Sequence, residues 1–428
     1  MVAKMSVMPE TNTLAFILRN NAETIPDKTA ITYKDIHYSY LEHYQRAVKL
    51  ASSLSSSGCK AGDRIAILAK NCVEYLELYS ACEIAGFIIV PVNFRLTKSE
   101  IQHVCDNTSP VVCLYTAEYE SPIELVKLES KSIRAFIRID ASNNAQDQYQ
   151  ELINSGTAPD INSSENQFYI PLASDPACII HTSGTTGHPK GAVLSQSALY
   201  GIADTISTDA DIQSDDYGLL MQPLFHVGAK FLQLAHHIRG ATIKLELGFE
   251  PANVWRILAR ENITTMQLVP TMLDILLDEI KDGNYPQTKL KTIFYSTAPI
   301  RESLLRRGLE VFGQVFVQQY GSTEGGQITS LAKHHHINDG SEKEQKWLTS
   351  AGTANPGVDI SIVNNEGVVL AAGEPGEIIV KHSNIMQGYW NDIDSTASTI
   401  VNGYLHMGDI GYLDEEGFLY IVDRKKDM

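Results

Sequence analysis

The sequence predicts an α/β protein with two units of mostly parallel sheet flanked by helices, followed by a smaller β-rich unit. Three observations point there. Short apolar strands alternate with capped helices over the first 120 residues. The same alternation resumes between residues 175 and 327. Over the last 75 residues the helical pattern gives way to short alternating strands.

The elements follow in order. Ser39-Tyr40-Leu41-Glu42 has the spacing of a capping box; Leu41, Tyr44, Val48 and Ala51 then share one helical face, and Gly58 suits the stop. Residues 64–69 read as a short buried strand, a helix runs from about Val73 to near Gly86, and residues 87–92 form a second strand. Thr97-Lys98-Ser99-Glu100 caps another helix, and residues 110–115 give a third strand. Strands separated by helices imply a parallel sheet covered on both faces. Residues 140–168 are rich in Asn, Ser and Gln and read as a surface connection. Strand-like residues 264–269, a helix after Pro270 and strand-like residues 292–295 continue the second unit. Glu374-Pro375-Gly376 then leads into a strand at 378–380. The expected units are 1–168, 169–350 and 351–422, with 423–428 as a hinge.

Composition narrows the function. With 43% apolar and 20% charged residues, 428 residues can bury a large core. A net charge of -17 makes the chain a poor binder of nucleic acid or anionic lipid. Any polyphosphate must therefore be held by a local device of backbone N–H groups, a few cations and a divalent metal. The six cysteines form no C-x-x-C pair and read as buried free thiols in a reducing compartment. Residues 1–20 lack an apolar core of signal-peptide length, and the run 84–92 is too short to span a bilayer. A cytoplasmic protein without integral membrane contact is expected. Lys333-His334-His335-His336 reads as a solvated surface loop, because adjacent imidazoles point in different directions and make poor joint ligands.

The segment richest in chemistry is His181-Thr182-Ser183-Gly184-Thr185-Thr186-Gly187-His188-Pro189-Lys190-Gly191. An apolar strand at 177–180 feeds it, and a second strand at 192–194 leaves it. Its glycines let the backbone approach an anion, and its hydroxyls and Lys190 supply donors: a phosphate cradle by composition. It lacks the Gly-Lys-Ser/Thr of a Walker A loop.

This segment resembles the signature loop of the adenylate-forming superfamily, which includes acyl-CoA and aryl-CoA ligases, luciferase and peptide-synthetase adenylation domains. Further segments resemble that family in its order: Pro223-Leu224-Phe225-His226-Val227-Gly228, Tyr295-Ser296-Thr297-Ala298-Pro299, Tyr320-Gly321-Ser322-Thr323-Glu324, Gly376-Glu377-Ile378, Gly388-Tyr389-Trp390, Gly408-Asp409 and Asp423-Arg424. The resemblance implies that the last β-rich unit is a distorted barrel. It also implies a two-step reaction using ATP, Mg²⁺ and CoA: a fatty or aromatic carboxylate is converted to an acyl-adenylate, then to a thioester.

Roles follow from the match alone. Thr182, Ser183, Gly184, Thr185, Thr186, Gly187 and Lys190 would grip the β- and γ-phosphates. Glu324 would hold Mg²⁺, with Thr185 as second ligand. Tyr320, with Gly321 and Ser322 following, would stack on adenine beside Ser296, Thr297 and Ala298; Thr323 would contact the α-phosphate. Asp409 would accept from the ribose hydroxyls with Arg424 nearby. His226 would stand where the carboxylate meets the thiol tunnel, and Val227, Gly228, Thr297, Gln319 and Gly325 would shape the acid pocket. Lys190, Thr186, His226 and Glu324 are thus the expected catalytic set.

Departures from the family pattern matter too. Gln319 stands where many relatives have Gly, and Ser296-Thr297 replaces the usual Gly or Ala pair; both additions should shorten or polarise the acid pocket. Met407 and Tyr404 replace a common Thr and Trp near the ribose. Lys426 occupies the family's hinge position, and the small C-terminal domain that follows in relatives is missing from residues 1–428, which implies a fragment or a natural truncation. Residues 1–428 alone are expected to bind ATP or acyl-adenylate and turn over slowly. Alternatives are an amino-acid or carrier-protein adenylation domain, disfavoured because Phe225-His226-Val227-Gly228 offers no acid for an amine, luciferase-like oxidation of the same adenylate, and a non-catalytic adenylate-binding module. A homodimer is common among relatives; the sequence leaves oligomeric state open.

Overall fold

The computed structural model describes residues 10–140, 148–158, 168–182, 188–281 and 283–425. Local signals form where the sequence places them. Ser39 and Glu42 complete a reciprocal capping box on the helix Tyr40–Ser56, and Thr97 and Glu100 do the same for Lys98–Thr108. Each such cap satisfies two backbone N–H groups that a helix start leaves bare. The helix Val73–Ala85 ends because Gly86 turns left-handed at φ 70°, a conformation that carries no steric penalty without a Cβ.

Among the described residues there are three sheets. The nine-stranded sheet runs in the order Thr353–Ala354, Gly326–Leu331, Phe316–Ser322, Thr292–Tyr295, Thr265–Leu268, Tyr217–Leu220, Thr242–Leu245, Thr29–Tyr33, Ile36–Ser39. Its centre is parallel and its two edges antiparallel. The seven-stranded sheet runs Gly388–Tyr389, Lys190–Ser195, Pro176–Thr182, Ile88–Pro91, Arg64–Leu68, Val112–Tyr115, Ala135–Arg138. The third, antiparallel sheet is built from Asp359–Val363, Gly376–Lys381, Ile400–Val401, Tyr404–Leu413 and Leu419–Arg424.

Strand membership crosses residue 168 in both directions. Thr29–Tyr33 pairs with Thr242–Leu245, and Pro176–Thr182 pairs with Ile88–Pro91. The first two sheets are therefore not products of the contiguous segments 1–168 and 169–350. A strand joins whichever sheet edge its apolar face can cover, and chain order alone does not decide that. Residues 351–422 do supply the antiparallel sheet almost entirely.

The helices Leu14–Thr24, Tyr40–Ser56, Val73–Ala85, Gln196–Asp209 and Val227–His237 share one buried apolar cluster with strands of both large sheets, including Leu50, Leu76, Ile65, Leu199, Leu234 and Ile243. Inside it lies an ion pair: Lys230 Nζ stands 2.5 Å from Glu83 Oε1, with the two side chains 1% and 2% exposed. It ties the helix that begins after His226 to the helix Val73–Ala85. Burial pushes the Glu83 carboxyl up, against the pull of Lys230.

Two expectations are corrected. Residues 148–155 are not a plain surface connection: they form a helix, Gln148–Ser155, that buries Tyr149 and Ile153, and the Tyr149 hydroxyl donates to Glu77 at 2.6 Å. Two apolar residues one helical turn apart outweigh the polar surroundings. Likewise Lys333–His335 is a short 3₁₀ turn, but His336 is 2% exposed and bonds the Tyr295 hydroxyl at 3.0 Å, making it a core histidine. All six cysteines are free, and five are buried. Among the described residues no helix is long and apolar enough to cross a membrane.

Candidate active site

The strands Pro176–Thr182 and Lys190–Ser195 pair antiparallel with Thr182 opposite Lys190, so the hairpin's mouth is set by those two residues. The expected phosphate-gripping residues Ser183, Gly184, Thr185, Thr186 and Gly187 lie outside the described residues, as does the expected hinge Lys426. His181, opposite Gly191, sits one pair in from that mouth; burial, then the neighbouring His103, lowers its pKa to about 4, so it is neutral at pH 7.

Glu324 meets this mouth. Its Oε1 accepts from the Thr182 hydroxyl at 2.8 Å and from the Tyr389 hydroxyl at 3.0 Å. Lys190 Nζ lies 5.4 Å from the centre of the same Tyr389 ring and donates to Ser395 at 2.6 Å. Gly388–Tyr389 is held there as an edge strand, pairing Tyr389 with Ala192. Burial, then the Glu324 carboxylate, pushes the Tyr389 phenol up, so it stays a donor. Both described bonds to Glu324 fall on Oε1. The other oxygen keeps its lone pairs, and an acceptor-only carboxylate oxygen is the donor type a hard divalent cation takes.

Glu324 closes a turn that Gly321 makes feasible. A Cβ on Gly321 would lie 1.9 Å from the Gly326 carbonyl oxygen, so no side chain fits. The Ser322 hydroxyl accepts from the Gly325 N–H at 2.8 Å, and His382 bonds the Gly325 carbonyl at 2.8 Å. At the other end of the turn, the Tyr320 hydroxyl donates to Asp409 Oδ2 at 2.7 Å. Arg424 lies directly opposite Asp409 on the neighbouring strand, with Nε 2.9 Å from Oδ1. Asp409 is 5% exposed, whereas the Arg424 side chain is largely exposed. Burial, then Asp409, pushes the Tyr320 phenol up. Lys190, Glu324 and Asp409 are thus linked through Tyr389 and the single turn from Tyr320 to Glu324.

His226 precedes the helix Val227–His237, with Val227 buried and Gly228 half-buried. Desolvation, then the Arg95 cation, lowers the His226 pKa. Thr292–Tyr295 delivers Ser296, Thr297 and Ala298, the last two exposed. Thr297 has φ 75°, a left-handed conformation costly for a β-branched residue. It lines an open cleft of about 290 Å³ with Val269, Thr271, Ala298 and Arg301. Gln319 and Gly325 stand on either flank of the Tyr320 turn, and a Cβ at Gly325 would press on Leu405 and Met407.

Sequence reasoning missed several contributors. Tyr389 sat in a recognised motif without a role, and Ser395 and His382 carried no signal. Gln222 and Gln267, buried near the ends of adjacent strands, were not singled out.

A family described as AMP-binding enzyme matches residues 18–390. A feruloyl-CoA synthase of Amycolatopsis sp. is 30% identical over 411 residues, covering 95% of this chain and 77% of the relative. The N-terminal domain of FACL13 from Mycobacterium tuberculosis superposes with a TM-score of 0.85 at 26% identity, covering 96% of this chain and all of that one. The o-succinylbenzoate coenzyme A synthetase MenE from Bacillus subtilis, in complex with AMP, gives 0.83 at 27% identity, covering 96% of this chain and 79% of that one.

Proposed function

Because the chain belongs to the AMP-binding enzyme family, we propose that it activates a carboxylic acid with ATP and passes the acyl group to the thiol of CoA. In the first step a carboxylate oxygen bonds to the α-phosphorus of ATP as the bond to pyrophosphate breaks. In the second, the thiol sulfur bonds to the acyl carbon, AMP leaves, and the thiol proton is lost.

The first step brings two anions together, and two like charges 4 Å apart near a protein surface repel by about 4 kcal/mol. In a chain of net charge -17 the opposing charge must be local. Lys190 supplies it at the hairpin mouth, with Thr182 and the loop 183–187 as donors to the terminal phosphates. Glu324 would hold Mg²⁺ through its second oxygen, with Thr185 as the other proposed ligand; when bound, such a cation neutralises phosphate charge. Asp409 keeps lone pairs for ribose hydroxyls, Tyr320 offers a ring face to adenine beside Ser296, Thr297 and Ala298, and Thr323 reaches the α-phosphate. His226, neutral at pH 7, orients the acid against Val227, Gly228, Thr297, Gln319 and Gly325.

The observation that carries this reading is the bonded set Thr182–Glu324–Tyr389 and Tyr320–Asp409–Arg424 on one turn. The test is pyrophosphate release by the full-length protein over a panel of short, long and aromatic acids, followed by CoA-dependent AMP release. Pyrophosphate release without any CoA dependence would point to another acceptor, and its absence with every acid would refute the proposal.

A further inference from the structure

The parallel strands Phe316–Ser322, Thr292–Tyr295, Thr265–Leu268 and Tyr217–Leu220 are neighbours; Gln319 stands mid-strand in the first, Ser296 just past the second, Gln267 near the end of the third and Gln222 just past the fourth. Gln222 and Gln267 are each 7% exposed. The Gln267 amide donates to Ser296 Oγ at 3.0 Å, and Gln222 Nε2 donates to the main-chain carbonyl of Gln267. Beyond those bonds, Oε1 of Gln222, Oε1 of Gln267 and Nε2 of Gln319 are buried without a partner. Because a carbonyl fixes the Gln222 nitrogen, its free end is an oxygen, an acceptor awaiting a donor. Gly228 faces this spot: a Cβ there would lie 3.8 Å and 3.9 Å from the two ends of the Gln267 amide, so glycine leaves the amide within reach.

A buried polar atom without a partner costs about 1–3 kcal/mol. Three such atoms on neighbouring strands of one sheet call for a polar partner. An alkyl chain would leave all three dry. A hydroxyl matches the set, since it has one hydrogen to donate and lone pairs to accept with. On the reading above, in which Gly228 faces the acid pocket, we propose that the acid carries a hydroxyl at the end remote from its carboxylate. That hydroxyl donates to the Gln222–Gln267 oxygens and accepts from Gln319.

The test uses the full-length protein and two matched pairs: p-hydroxycinnamic against cinnamic acid, and ω-hydroxyhexanoic against hexanoic acid, read by ATP–pyrophosphate exchange. The hydroxylated member of at least one pair should have a kcat/KM about 10- to 100-fold higher, since a site built to bond a hydroxyl rejects the analogue that lacks one. Gln222→Leu and Gln267→Leu should bring that pair to near parity by lowering the hydroxylated acid's kcat/KM and raising its partner's. Equal or better use of both unhydroxylated acids would overturn the hydroxyl subsite while leaving ATP-dependent activation intact. No exchange with either pair or with the wider panel would overturn the activation reading, and the subsite with it. If the leucine variants do not fold, the wild-type ratio decides alone.

Discussion

At the proposed nucleotide end of the site, Asp409 is met by Tyr320 and Arg424, and Glu324 by Thr182 and Tyr389; at the proposed acid end, Gln222, Gln267 and Gln319 each keep an unpaired atom and Thr297 holds a strained backbone. The first set is bonded among its own members; the second keeps polar atoms unpaired. Preorganised donors and acceptors suit a substrate every member of a family shares. Unsatisfied groups suit discrimination, because a wrong ligand leaves them unpaired.

The contrast can be broken at either end. The largest effect is expected from Lys230→Met, which strands Glu83 in the core behind the helix Val227–His237. Stability should fall by about 3–5 kcal/mol in a urea titration, and Lys230→Met with Glu83→Leu should recover most of it. Recovery by the double variant separates a lost ion pair from poor packing. At the nucleotide end, Glu324→Gln should lower kcat for pyrophosphate release by about 10²–10³ and raise the Mg²⁺ concentration needed, with stability little changed. Loss of stability instead would make Glu324 a structural residue.

A third prediction concerns acid. Burial leads the causes that lower the His336 pKa to about 4, against an ordinary 6.5. The fold therefore favours the neutral ring. Its contribution is fully present above pH 6.5 and is lost as pH falls toward 4, a loss of about 3 kcal/mol by that point. Urea midpoints at pH 7 and pH 4.5 should diverge less in His336→Gln than in the wild type. Last, Thr297→Gly should relieve the left-handed strain for a gain of about 1 kcal/mol or less, and it should shift acid preference toward longer chains, with the KM for ATP moving less than the KM for the acid because Thr297 borders both. A KM for ATP that moves more than the KM for the acid would confine Thr297 to the nucleotide end.

The parts of the fold that were legible are those written locally. Capping boxes at Ser39 and Thr97, the stop at Gly86 and the strand Thr292–Tyr295 all depend on residues within a few positions of one another. The sheet memberships of Thr29–Tyr33 and Pro176–Thr182 were not, because partners more than 80 residues away decide them. His336 and Tyr149 read as surface residues for the same reason: their bonds go to Tyr295 and Glu77, far along the chain. In the site, motif order pointed to Glu324, Tyr320 and Asp409. It did not show that Tyr389 joins Lys190 to Glu324, since a phenol's partner is fixed only by the edge pairing of Gly388–Tyr389. The unpaired glutamine atoms have no signature at all in the sequence, because polarity is written there and satisfaction is not.

The most direct measurement is a crystal structure of the protein grown with Mg²⁺ and a non-hydrolysable ATP analogue. The ribose should lie against Asp409, the adenine against Tyr320, and the terminal phosphates at Lys190 beside Glu324. A nucleotide bound elsewhere, with these three residues untouched, would contradict the account.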